Sequence, residues 1–235
     1  QIMSKKDKII ALIPARKGSK EIKNKNLLKI NKKTLIELTI DNAKKSKYID
    51  QIYLSSDSNK ILKISELFKN VLTHKRSKSS SNDKSTSKDV LKDFLSKNKK
   101  YISQGIILVY LQPTSPMRNH HHIDNAIKLF KIKKKDTLIS CYEIQESEKI
   151  FKSFILDKSK NFVSLFKKKN IYANRQSFPK ILTPNGAIFI FKINKNFIKE
   201  FSNLKNVTTY IMEKKDAIDI NTMQDYQEAK KNLLR

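Results

Sequence analysis

At 235 residues, with 38% hydrophobic side chains, the chain has room for one large domain, or one domain with a sizeable insertion, around a real core. Lys and Arg number 50 against 22 Asp and Glu, a formal charge of +28 that is mostly Lys spread over the whole chain; it reads as compositional bias, and an anionic substrate would gain from the field. The single cysteine, Cys141, excludes an internal disulfide and suits a reducing cytoplasm, and no apolar run approaches the roughly 20 residues of a membrane span.

Ile9-Ile10-Ala11-Leu12-Ile13 is a short apolar run closed by Pro14, the pattern of a buried parallel strand. From there to Asn26 the hydrophobic rhythm stops and cations take over: Arg16, Lys17, Lys20, Lys23 and Lys25. A loop of this kind, after a strand and ahead of a helical pattern, is where open α/β sheets bind phosphates. Neither GxxxxGK[ST] nor GxGxxG is present, which leaves a solvated basic loop as the alternative. Because the apolar run leads straight into this loop, no secretory signal is expected. The chain has only three glycines, Gly18, Gly105 and Gly186. Gly18 and Gly186 are expected where the backbone needs positive φ or close approach to a ligand, and Gly105 in a turn before a strand.

Thr34 is positioned to cap a helix over residues 35–48. A strand over 51–55 ends in Ser55-Ser56-Asp57, and the spacing of Ile61, Ile64, Leu67 and Phe68 predicts a second amphipathic helix. Strand, helix, strand, helix implies right-handed crossovers and a parallel sheet. Residues 75–89 are nearly free of apolar side chains and read, alone, as a flexible loop. A helix is predicted from about 86 to 96, then a strand over 106–111, stopped by Gln112-Pro113-Thr114-Ser115-Pro116. A helix over 120–130 and a strand over 137–142 follow; the strand holds Cys141 as a buried structural thiol. His120-His121-His122 opens that helix, and consecutive helical side chains point about 100° apart, so the three cannot converge on one ion.

Residues 143–183 break the alternation. Their apolar bursts, such as Ile150-Phe151 and Phe162-Val163, predict an inserted subdomain used in self-association, leaving 1–142 and 184–235 as the α/β core. Regular structure returns with a strand over 187–191, a helix near 194–202, a strand over 207–212 and a last helix holding Ala229 and Leu233. No Ser-His-Asp or Cys-His arrangement is visible in the sequence.

The segments PARKGSKEIKNKN (14–26), SSD (55–57), LQPTSPMR (111–118), PNGAIFI (184–190) and DAIDINTMQDY (216–226), taken in order, resemble the acylneuraminate cytidylyltransferases. The resemblance implies a Rossmann-like, mostly parallel sheet flanked by helices, a dimerisation subdomain inserted late, and a Mg²⁺-dependent reaction with CTP. In that reaction the anomeric hydroxyl of a nine-carbon 2-keto acid sugar attacks the α-phosphorus, giving CMP-sugar and pyrophosphate. The product would feed a surface polysaccharide, and the enzyme would be a cytoplasmic homodimer. Neuraminic, legionaminic and pseudaminic types remain open as the sugar, and the general base is unidentified.

By the same resemblance, Arg16, Ser19, Lys20, Lys25 and Asn26 would contact the triphosphate, although Glu21 and Lys23 stand where the family has Gly and Pro. Arg76 would reach the base, and Thr86 and Ser87 the base or ribose. Gln112, Ser115 and Arg118 would face the sugar; Arg175, with Lys152 as a second cation, would face its carboxylate. Asp219-Ile220-Asn221 replaces an Asp-x-Asp metal pair, so Asp219 would bind Mg²⁺ with Asn221 as a neutral ligand, while Asp225 serves the last helix. Arg16, Lys25 and Asp219 would be the catalytic set. Two rivals stand beside this reading: another sugar nucleotidyltransferase of the same fold, and a basic nucleic-acid-binding protein.

Overall fold

The computed structural model describes residues 7–18, 21–82, 84–145, 147–156, 158–160, 162–164, 174–201 and 206–233. β1 (Ile9–Pro14) is apolar throughout, as a strand covered on both faces must be, and Ile10 to Ile13 are wholly buried. The basic loop after it passes through a 3-10 turn at Lys25–Leu27 into a small hairpin, β2 (Lys29–Ile30) and β3 (Lys33–Thr34). Asn31 and Lys32 both take positive φ there, as a two-residue hairpin turn requires. Thr34 then caps α1 (Leu35–Lys45) through a reciprocal capping box with Glu37.

β4 (Gln51–Ser56) leads into α2 (Asn59–Leu62), a single turn that tightens into a 3-10 segment at Lys63–Leu67. The helix expected over 61–68 is therefore mostly 3-10. β5 (Val71–Lys75), an edge strand, was not expected; it buries one side chain, His74, so its alternation carries almost no apolar signal. Thr86 caps α3 (Ser87–Lys97) through a box with Asp89, and α4 (Lys100–Gln104) ends on Gly105 at φ 67, the expected turn. β6 (Ile107–Tyr110), α5 (His120–Lys133) and β7 (Thr137–Glu143) follow as predicted.

Within 143–183 lie α6 (Ser147–Phe151), a hairpin of β8 (Phe154–Leu156) and β9 (Phe162–Ser164), and a 3-10 turn at Arg175–Ser177. β10 (Leu182–Lys192) returns to the core, bulged between Pro184 and Phe189; α7 (Phe197–Glu200), β11 (Val207–Ile211) and α8 (Met223–Leu233) complete the chain.

The main sheet has seven strands in the order β11-β7-β10-β6-β1-β4-β5. β1 runs parallel to β4 and β6, β4 to β5 and β7 to β11; β10 alone is antiparallel to its neighbours. One face buries Ile36 and Ile40 of α1 with Ile123, Ile127 and Phe130 of α5; the other buries Val90, Leu91 and Phe94 of α3 against Tyr53 and Tyr101. The fold is thus the mostly parallel α/β sandwich expected, with the C-terminal ends of β1, β4 and β6 brought together. No described helix is long and apolar enough to cross a membrane.

Candidate functional site

A cleft of about 210 Å³ opens beside the C-terminal ends of β1 and β6, the place where open α/β sheets bind ligands. The loop after β1 contributes Arg16, Gly18, Lys25 and Asn26 to its lining. Bonds to distant elements fix that loop. The Asn26 amide donates to Arg16 O at 3.0 Å, and the Lys17 N–H donates to Asp57 Oδ1 at 2.9 Å, which gives the Ser-Ser-Asp segment after β4 its structural task. Lys25 Nζ donates to Ile220 O at 2.9 Å and lies 3.4 Å from Asn221 Oδ1, tying the loop to the Asp219 segment. A Cβ on Gly18 would meet nothing within 4 Å and its φ is not positive, so the protein's own packing does not require glycine there. Ser19 and Lys20 lie outside the described residues.

The second wall comes from the low-complexity stretch. Arg76, Thr86 and Ser87 line the cleft with Ser85. This stretch is tied down by its own hydroxyls: Ser81 Oγ donates to Ser77 O (2.7 Å), Ser85 Oγ to Ser79 O (3.0 Å) and Ser80 Oγ to Asp93 Oδ2 (3.1 Å). Side chains that compete with regular backbone pairing here give the loop its turns. Arg76 is 7% exposed; its N–H donates to Ser56 O and its Nε to Ser55 Oγ, each at 2.9 Å. Tyr110, at the end of β6, floors the cleft beside Ser87. Sequence reading missed it because a buried tyrosine in an apolar run looks like core.

Gln112 also lines the cleft, and Gly186 explains how it is held. Gly186 has φ +72, and a Cβ there would stand 3.0 Å from Gln112 Oε1 and 3.7 Å from Asp219 Oδ2. Both the conformation and the close approach demand glycine, as expected. Asn185 supports the bulge: its Oδ1 accepts from Ser140 Oγ (2.5 Å) and from the Ala187 N–H (3.1 Å).

Other sugar-site candidates are not brought to the cleft. Ser115 is fully buried, with no partner for its Oγ among the described residues. Arg118 is 1% exposed; its Nη1 donates to Gln112 O (2.9 Å) and Ala187 O (2.8 Å), and its Nη2 to Thr39 Oγ1 (2.9 Å). Burial pushes this guanidinium down to about 9. The arginine expected to face a sugar instead clamps the backbone that carries Gln112 and the PNGA bulge, because its Nη atoms donate to interior acceptors. Lys152 sits 5.5 Å from the Phe178 ring and does not line the cleft; Arg175 begins the 3-10 turn, and its side chain lies outside the described residues.

The Asp219 segment is pinned by the Ile220 N–H, which donates to Thr114 O at 2.8 Å. Asn221 Nδ2 donates to Asp219 Oδ2 at 3.0 Å, while Asp219 Oδ1 is buried with no partner among the described residues. A spare carboxylate oxygen of this kind fits a hard cation. Asn221 fits less well, since its carbonyl faces Lys25. No group of three or more His, Cys, Asp or Glu converges among the described residues. Asp225 caps α8, accepting from the N–H groups of Asn221 (2.9 Å) and Thr222 (2.7 Å). His122 serves the cap of α5: its N–H donates to Asn119 Oδ1, and its Nδ1 accepts from the Asn119 N–H.

The model of the family described as "Cytidylyltransferase" matches residues 10–232. The chain is 30% identical over 222 residues to post-translational flagellin modification protein B of Campylobacter coli, covering 93% of this chain and 92% of that protein. It is 33% identical to the N-acylneuraminate cytidylyltransferase of Streptococcus agalactiae serotype V, where it covers 93% of itself but only 52% of the relative, about half its length. In fold it is similar to CMP:2-keto-3-deoxy-manno-octonic acid synthetase solved with CTP, with TM-score 0.71, 15% identity and 97% and 99% of the two chains covered.

Proposed function

The chain belongs to the cytidylyltransferase family, and we propose that it transfers CMP from CTP to an acidic nine-carbon 2-keto sugar of the sialic-acid kind. One observation carries the proposal: Arg16, Lys25, Asn26, Arg76, Thr86, Ser87 and Gln112 come from separate stretches of the chain and line a single cleft. The sugar's anomeric oxygen forms a bond to the α-phosphorus as the bond from that phosphorus to the β-phosphate oxygen breaks, and pyrophosphate leaves. Arg16 and Lys25 stabilise charge moving onto the leaving group; such preorganised cations act most strongly where water is excluded. Asn26 holds the Arg16 backbone in place. Arg76 receives the base, Thr86 and Ser87 the base or ribose, and Gln112 the sugar.

Asp219, through its spare oxygen, would hold Mg²⁺, with Asn221 beside it; the ion neutralises phosphate charge. Ser19 and Lys20 complete the phosphate contacts in this reading, and Arg175, with Lys152, supplies cations for the sugar carboxylate. Those two belong to the 143–183 insert. Its β8 exposes Phe154, Ile155 and Leu156 at 45%, 51% and 62%, which supports a homodimer built on this face. A cytoplasmic location agrees with the lone free thiol, Cys141. The test is pyrophosphate release with CTP, Mg²⁺ and a panel of neuraminic, legionaminic and pseudaminic acids. Release with one acid sugar and CTP, and not with ATP, GTP or UTP, is expected; release with no member of the panel would refute the proposal.

A further inference from the structure

Behind the cleft, a line of buried polar groups runs from α3 to Arg76. His74 Nε2 stands 3.3 Å from Asp93 Oδ2, its Nδ1 stands 2.9 Å from Ser55 Oγ, and Arg76 Nε donates to the same Oγ at 2.9 Å. Ser55 is 0% exposed and His74 4%. The residue types are those of a hydrolytic triad, yet the wiring is not. A triad histidine presents Nε2 to the serine and Nδ1 to the aspartate, the reverse of what is found here, and its serine must reach substrate. Among the described residues, Ser55 Oγ bonds only to Arg76 and His74.

We propose that His74 is a positioning residue, which through Ser55 fixes the Arg76 side chain against the nucleotide cleft. The proposal rests on the cleft being the nucleotide site. The directions of the hydrogen bonds argue for it. Asp93 accepts from the Ser77 N–H (3.0 Å), Ser80 Oγ (3.1 Å) and Lys97 Nζ (3.1 Å). Burial pushes that carboxyl up, but these donors hold it below the usual range, so His74 Nε2, which makes no hydrogen bond among the described residues, faces an anion at 3.3 Å and is the nitrogen that carries the proton. A neutral His74 with its proton on Nε2 leaves Nδ1 as an acceptor, and the Ser55 O–H then points to it. The Ser55 oxygen lone pairs are thereby turned to the Arg76 Nε–H. Arg76 donates to Ser55 and Ser55 to His74, while the His74 Nε2 edge faces the Asp93 carboxylate without a hydrogen bond; linked donors of this kind strengthen one another. With the proton on Nδ1, a lone pair would face the Asp93 carboxylate and the serine hydroxyl would lose its acceptor. Burial favours the neutral ring over the charged one, against the pull of Asp93 and with that of Lys97 and Arg76.

Arg76 bonds through Nε, and its terminal Nη atoms make no hydrogen bond among the described residues. The relay therefore fixes the arm and leaves the Nη edge for a ligand. Buried interactions of this type govern how an arginine is held before its ligand arrives, so their loss appears in binding rather than in the chemical step.

The experiment is a double-mutant cycle read by CTP titration calorimetry and by steady-state kinetics. Arg76→Ala should weaken CTP binding about 30-fold. Ser55→Ala, which removes one oxygen from a packed site, should weaken it about tenfold with kcat within about twofold, and His74→Leu should match it. In the Arg76→Ala background, neither Ser55→Ala nor His74→Leu should weaken binding further, whereas a role confined to packing would carry over undiminished. An additive cycle overturns the relay. Arg76→Ala that binds CTP as the parent does overturns the nucleotide-site reading of Arg76 instead. Melting curves accompany each variant, and should Ser55→Ala prove unfolded, the His74→Leu arm decides the cycle alone.

Discussion

Lys25→Ala tests the site where it is most exposed to error, since this chain is rich in lysines of no function. Lys25 is half-buried, lines the cleft, and its ammonium is held by Ile220 O at 2.9 Å with Asn221 Oδ1 at 3.4 Å. Two losses follow from its removal. Taking one preorganised charge from a transition state costs about 3 kcal/mol, or about 10²-fold in kcat. The lost bond to Ile220 costs about 1 kcal/mol of stability, a fall of roughly 2–4 °C in melting temperature for a chain of this size. Lys99→Ala is the comparison: Lys99 is exposed, precedes α4 and lines no cleft, so it should change neither quantity measurably. The assay is pyrophosphate release at saturating CTP, Mg²⁺ and acid sugar, beside calorimetric melting. Equal activity of Lys25→Ala and Lys99→Ala, both folded, would refute the reasoning, because a cation tied at this point cannot be idle if the loop holds phosphates.

Gly186→Ala places a Cβ at φ +72, 3.0 Å from Gln112 Oε1; it should cost about 1–2 kcal/mol in melting experiments and raise KM for the sugar more than for CTP, as Gln112 is displaced. Burial lowers His74 to about 4, so the unfolded chain binds a proton at His74 between about pH 6.5 and 4 that the folded chain refuses. Stability should be full above about pH 6.5 and fall by up to about 3 kcal/mol as pH drops to about 4, and urea midpoints of His74→Gln should show a smaller fall over that range. Duplex DNA should bind weakly at low salt and lose that binding steeply between about 50 and 200 mM salt, while CTP-dependent turnover persists; duplex binding that survives physiological salt would favour the nucleic-acid rival.

Most of the parallel frame was legible because buried strands leave continuous apolar runs. Ile9 to Pro14 and Ile107 to Tyr110 sit centrally in the sheet and read plainly. β5 did not, since an edge strand that buries His74 and exposes Leu72 at 43% gives no alternation to read. The helix over 61–68 misread for a related reason: its apolar spacing was real, and Ile61 is buried, but Leu67 is 70% exposed and the backbone tightened to 3-10. Thr34 was readable as an N-cap, which is local chemistry and survives the loss of the third dimension, whereas Thr86 was read as the start of its helix and its capping box with Asp89 was missed.

The site divides along the same line. Residues that line the cleft stand in short segments with unusual composition, so Arg16, Lys25, Asn26 and Gln112 stood out in the sequence, and Gly186 with them. Residues whose task is to hold those residues are chosen for their reach across the fold, and nothing in sequence records that reach. Ser55, His74 and Asp93 are separated by 19 residues in each step, yet Ser55 Oγ bonds to His74 Nδ1 at 2.9 Å and His74 Nε2 stands 3.3 Å from Asp93 Oδ2. Arg118 shows the converse. In LQPTSPMR it looks like a ligand-facing cation, but a guanidinium has five donors, and three of its bonds here go to Gln112 O, Ala187 O and Thr39 Oγ1. An arginine surrounded by interior carbonyls is a clamp, whereas one whose terminal nitrogens find no such acceptor among the described residues, as with Arg76, leaves them open to one. The same side chain serves both ends, and only the acceptors within its reach decide which.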